Sequence, residues 1–132
     1  MTKEQLRQYI ALGIEIDLLN QEIQRLRASL QAVPKMDDMP HGNLRSDRMV
    51  DTIAKIVDLT EIIREKTRRC IELRQDIEEA IDGLPPDLRV LMRMRYIEGM
   101  RWEKVTVQLN YSWRQTHRLH GYALQKMAHN GT

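Results

Sequence analysis

The chain has 132 residues, of which 42% are apolar and 30% charged. That is enough for one modest core or two small packed units, and too little for a large catalytic domain. Charge breaks up the start, "MTKEQLRQYIALGIEIDLLN", so it lacks a secretory apolar core, and no run approaches the roughly 20 apolar residues of a membrane span. The expectation is a soluble, cytoplasmic protein with no membrane partner.

The single cysteine, Cys70, falls within a helical pattern and reads as an apolar filler, not a redox centre. The net charge of +2 hides an asymmetry. Met1 to Leu84 holds 13 Lys and Arg against 16 Asp and Glu, a net of −3, whereas Pro85 to Thr132 holds 8 against 3, a net of +5. A positive field confined to the last third favours a polyanionic partner, with a merely solvated basic face as the alternative.

From Tyr9 the apolar residues Leu12, Ile16, Leu19, Ile23, Leu26, Leu30 and Val33 recur at alternating spacings of three and four, which is a heptad seam. The seam stops before Pro34, so the first helix is predicted over about 3–32. The stretch "PKMDDMPHGNLRSD" has no periodicity and reads as a loop over 34–46, after which Ser46 is placed to cap a second helix over about 47–82. Met49, Ile56, Ile63, Cys70, Ile77 and Leu84 repeat every seven residues, with Ile53, Thr60, Thr67, Arg74 and Ile81 as the alternate seam. Gly83 and Pro85-Pro86 end that helix.

Two helices of this length joined by so short a loop are predicted to pack antiparallel, as a hairpin occupying 1–84. Val50, Val57, Leu59, Ile62, Ile71 and Leu73 lie off the seam and suggest a second buried stripe, against a second copy in a homodimer or against the C-terminal domain. The connection "DGLPPD" reads equally as a rigid corner or a hinge.

The domain over 85–132 is predicted to contain helices at about 86–98, 101–109 and 112–128. Leu88, Leu91, Met92 and Tyr96 share one face of the first, and Gly99 ends it. Trp102, Val105, Val107 and Leu109 supply the apolar residues of the second. Asn110 then tolerates a left-handed turn, and Ser112 caps the third. A short helix, a tight turn and a second helix form the helix-turn-helix arrangement, in which the second helix lies in the major groove of DNA.

At 100° per residue, Thr116, Leu119, His120, Ala123 and Met127 face inward along this last helix. Arg114, His117, Arg118, Gly121 and Gln125 face outward, with Trp113 at the edge. The outward set is rich in donors suited to phosphates and base edges, so Ser112, Trp113, Arg114, His117, Arg118 and Gln125 are the candidate DNA-binding residues. Gly121 is an odd choice for an exposed helix interior. Either a phosphate backbone approaches there or the helix is locally distorted.

"LRVLMRMRYIEG", "WEKVTVQLN" and "YSWRQTHRLHGYALQKM" together resemble region 4 of bacterial sigma-70 factors over about 84–128. The whole chain, with "SDRMVDTIAKIVDL" opening its second helix, is similar to the small sigma-like or ArpU-type prophage regulators of Gram-positive bacteria. That resemblance implies an all-α protein: a long antiparallel helical hairpin followed by a helix-turn-helix domain. It also implies a sequence-specific regulator of phage or prophage transcription that binds double-stranded DNA and contacts RNA polymerase core. Trp113, Arg114, His117 and Arg118 fall at base- and phosphate-facing positions of the match. Thr106 and Asn110 stand where region 4 commonly has alanine and glycine, and Trp113 and His117 replace charged or amide residues, so the site read need not be a −35-like element. An acidic heptad hairpin replaces the helical domain that captures melted promoter DNA, which argues against a self-sufficient sigma factor.

Other chemistry finds little support in the sequence. His117 and His120 differ by 60° on their helix and have no acidic or cysteine neighbour, so no metal is expected. "REKTRRC" reads as a basic solvated patch or an auxiliary contact, while Asp37-Asp38 and Glu78-Glu79 lack any catalytic neighbourhood. Neither an enzyme nor a cofactor is expected. Two competitors remain: a phage DNA-packaging component of the small-terminase kind, and an adaptor that binds polymerase without touching DNA.

Overall fold

The computed structural model describes residues 1–31 and 42–130, with side chains at 1–31 and 46–129. The described residues form helices and short connecting turns, without strands. The elements are α1 (Lys3–Gln31), α2 (Gly42–Asp82), α3 (Pro86–Met92), a π-helical turn (Arg93–Ile97), α4 (Trp102–Leu109) and α5 (Trp113–Asn130).

Thr2 starts α1 through a capping box: its hydroxyl accepts from the Gln5 N–H at 3.3 Å, and Gln5 Oε1 accepts from the Thr2 N–H at 2.9 Å. The apolar seam of α1 is as its spacing predicts. Leu12 and Ile23 are buried, and Tyr9, Ile16, Leu19, Leu26 and Leu30 are half-buried. Val33 lies outside the described residues, as does the 34–41 part of the expected loop.

Helix α2 corrects two expectations. It begins at Gly42, so Ser46 lies inside it and does not cap it. The stretch "GNLRSD" contains no proline, so nothing in it forbids helical backbone. The seam is also different. The heptad series Ile56, Ile63, Cys70, Ile77 and Leu84 is buried or half-buried as expected, but its companion is Leu59, Lys66, Leu73 and Ala80, three residues on and not four. Of the expected alternate seam, Ile53, Thr60 and Arg74 are exposed, whereas Thr67 is half-buried and Ile81 fully buried; Met49, at the start of the main series, is exposed. Lys66 hides this register in the sequence, because its aliphatic stem occupies an inward position while its ammonium reaches Glu15 at 2.9 Å.

Contacts divide the chain into two units: Leu12–Arg69, and Met1–Ala11 with Cys70–Thr132. The second therefore extends across the boundary expected at Leu84. Its physical basis is one buried cluster in which Leu6 of α1 and Ile77, Ile81 and Leu84 join Leu88, Leu91, Met92, Val105, Ala123 and Met127. A single turn of α1 thus plugs the core of the basic unit. In the other unit Leu12, Ile23 and Leu59 are buried, and Lys66–Glu15 and Lys55–Glu22 (3.6 Å) link α1 to α2.

The segment predicted as one helix over 86–98 is instead α3 followed by the π-helical turn, closed by the Glu98 N–H donating to the Arg93 carbonyl at 2.9 Å. The extra residue in the turn rotates the end of the segment, and Met94, Tyr96 and Ile97 all pack against the core. Gly99, at φ 69°, ends the segment in the left-handed region that glycine occupies without strain.

Candidate nucleic-acid interface

Helix α4 ends at Asn110, whose φ of 57° and ψ of 40° are left-handed, and whose N–H and that of Tyr111 satisfy carbonyls of the last turn. Asparagine tolerates this conformation better than most residues. α5 then starts at Trp113, with the Ser112 hydroxyl accepting from the Gln115 N–H at 3.0 Å. Ser112 is the predicted N-cap, and that bond uses one lone pair of its oxygen.

The inward side of α5 is packed: Thr116, Ala123 and Met127 are fully buried and Leu119 half-buried. Thr116 fits an apolar site because its hydroxyl donates to the Ser112 carbonyl at 2.9 Å, leaving no unsatisfied group. The outward side carries Arg114, Arg118 and Gln125, all exposed. Neither arginine is in an ion pair among the described residues. Ser112, Arg114 and Arg118 line one open concavity together with Gln115. Gln115 is not among the donors expected from periodicity, although it lies three residues before Arg118 and so on the same side of the helix. Gln125 is eleven residues beyond Arg114, roughly 16 Å along the axis, and belongs to a different part of the surface.

His117 differs most from its expectation as a free outward donor. It is half-buried, with its ring 4.4 Å from that of Trp113 and 5.1 Å from that of Trp102, centroid to centroid. Its Nε2 is shielded from solvent without a hydrogen-bond partner. Packing of α4 against α5 outweighs the angular argument here, because Trp102 is large enough to reach round to His117. Trp113 at the end of this ring series keeps 53% of its surface exposed.

Trp102 organises the neighbouring polar groups as well. Its ring meets His120 edge-on at 4.6 Å, and the Arg95 guanidinium lies 4.8 Å from its centroid. Arg95 also donates to the Met100 carbonyl at 3.0 Å, so this cation is engaged within the fold. Tyr96 Oη and His120 Nε2 share a hydrogen bond of 2.8 Å. Burial, reinforced by His117, Lys3 and Arg95, lowers the His120 imidazole to about 4, and burial pushes the Tyr96 hydroxyl up. Both are neutral at pH 7, so the pair is structural and contributes no charge to the surface.

At Gly121 an added Cβ would meet nothing within 4 Å, so no internal packing requires glycine there. Among the described residues no three His, Cys, Asp or Glu side chains converge to hold a metal ion, and no helix is long and apolar enough to cross a membrane.

No curated protein and no solved structure matches the chain. A family does match, over residues 29–129, which takes in α2 and everything that forms the surface around Arg114 and Arg118. The chain belongs to the family described as "Protein of unknown function (DUF1492)".

Proposed function

We propose that the protein is a sequence-specific, double-stranded-DNA-binding regulator of phage or prophage transcription, with α4, the Asn110 turn and α5 as a sigma region-4-like helix-turn-helix. The observation that carries this reading is the two-sided character of α5. Thr116, Ala123 and Met127 are buried on one side, while unpaired Arg114 and Arg118, with Gln115 and Ser112, border an open concavity on the other. Two cations without carboxylate partners at the start of a helix preceded by a left-handed turn suit phosphate and guanine contacts. The excess of 8 basic over 3 acidic residues from Pro85 onward supplies an attractive field.

The remainder of the chain is read as an antiparallel helical hairpin that serves as a platform. In support, Glu15 pairs with Lys66 and Glu22 with Lys55, so positions rise along α1 as they fall along α2. Ile14 and Leu18 on α1 and Val50, Ile53 and Val57 on α2 remain exposed, between 48% and 61%. A second copy of the chain is the partner assigned to these residues. Sedimentation tests it: a dimer is expected, reverting to monomer in Leu18→Glu with Val57→Glu, and a monomeric wild type rules it out. RNA polymerase core is the further partner implied by the sigma-like pattern. Selection of bound fragments from host and prophage DNA tests the function, with enrichment of discrete sites by the wild type and none by an Arg114→Ala, Arg118→Ala double variant. Equal enrichment by both removes α5 as the recognition helix.

A further inference from the structure

Trp113 is an unusual side chain to leave in water. Solvent reaches 53% of it, yet one side of the ring is packed. His117 stacks obliquely on it at 4.4 Å and 59°, and Trp102 of α4 backs His117 at 5.1 Å and 51°. Three rings thus run from α4 to the first residue of α5, and Trp113 is the one that keeps an open face. The concavity lined by Ser112, Arg114, Gln115 and Arg118 lies next to it round the helix, with Arg114 and Arg118 turned about 100° and 140° from Trp113. An apolar plate flanked by two unpaired guanidiniums matches a surface that offers a methyl group close to phosphates and acceptor atoms.

Within the major groove one base edge is apolar: the C5-methyl of thymine. We infer that Trp113 is a specificity-determining residue that packs on a thymine methyl, with His117 and Trp102 as positioning residues that hold the indole in place. This rests on the DNA-binding reading and deepens it. The division of labour is definite. Arg114 and Arg118 supply charge and hydrogen bonds, Trp113 supplies apolar discrimination, and His117, whose Nε2 is enclosed, does not present that nitrogen to bases. A ring packed on one side by a neighbour has less rotamer freedom to lose on binding, so burial of a single methyl is expressed in affinity.

Removing one methyl from a fully buried position corresponds to about fourfold in affinity. The test uses duplexes recovered by the full-length protein, resynthesised with deoxyuridine replacing thymidine one position at a time, which deletes the C5-methyl and leaves pairing intact. Wild-type protein is expected to lose about fourfold at one or two thymines. Trp113→Ala is expected to bind more weakly and to be indifferent to uracil at those same positions. His117→Ala should reduce the uracil penalty while leaving the salt dependence of binding unchanged, and His117→Phe, which keeps a ring between the indoles, should restore it. Circular dichroism and thermal melting check that each variant is folded.

A wild type that ignores uracil at every position overturns the assignment, as does a Trp113→Ala protein that keeps the full penalty; either result leaves DNA binding itself intact. Failure of the wild type to bind any duplex sinks the DNA-binding reading and this inference with it, and is distinguished by the absence of a complex with thymidine-containing DNA.

Discussion

Acidification should destabilise the basic unit through one residue, His120. Its imidazole is lowered from 6.5 to about 4. A group whose folded pKa is depressed binds fewer protons folded than unfolded between those two values. Stability is therefore complete above pH 6.5, declines as pH falls through the window, and stops declining below about 4. Keeping the ring neutral over that interval corresponds to ~3 kcal/mol as an upper bound, and solvent screening of a part-buried ring reduces it to ~1–2 kcal/mol. Urea unfolding at pH 7.0 and 4.5 measures it, with His120→Gln as reference, because glutamine can keep a hydrogen bond to Tyr96 but cannot protonate in this range. Carboxylates titrate in both proteins, so the difference between their pH dependences isolates the imidazole. A wild type and variant that lose the same stability on acidification would refute the argument, whatever their absolute stabilities.

Packing makes two further outcomes measurable. Leu6→Ala should cost about 2–4 kcal/mol, since Leu6 is 1% exposed within the cluster that includes Met127, and calorimetry should show a lower melting temperature; a loss below ~1 kcal/mol would mean that α1 is not part of that core. Gly121→Ala should raise the melting temperature, with a gain of up to ~1 kcal/mol, because the added methyl meets open space on a helix interior. A lower melting temperature there would reveal a local distortion.

Much of the helical layout is legible because the forces that set it are local. The three-four spacing of α1 from Tyr9 to Leu30, Pro85-Pro86 as breakers, Ser112 as a cap and Asn110 as a left-handed residue each act within a turn or two of chain. What escaped depends on partners distant in sequence. Lys66 looks like an outward residue until Glu15 is seen to hold its ammonium, which conceals the true companion seam of α2. Leu6 reads as one more hairpin position, and only its burial among α2, α3 and α5 residues assigns it to the basic unit.

The candidate site divides in the same way. Arg114, Arg118 and Gln125 lie on the exposed side of α5, where helical periodicity alone puts them. His117 satisfies the same periodicity, but Trp102 reaches across from α4 and draws it into a ring stack. The π-helical turn had no sequence signal, since one added residue per turn leaves composition unchanged and alters only which side chains point inward.

The most direct test of DNA recognition by α5 is the salt dependence of duplex binding. Plotted as log K against log salt concentration, wild-type binding should fall linearly, with a slope near −0.9 for every phosphate neutralised. An Arg114→Ala, Arg118→Ala double variant should bind more weakly and with a shallower slope, by about one for each arginine that contacts phosphate. Affinity that does not respond to salt, or a double variant whose affinity and slope equal those of the wild type, would contradict the account.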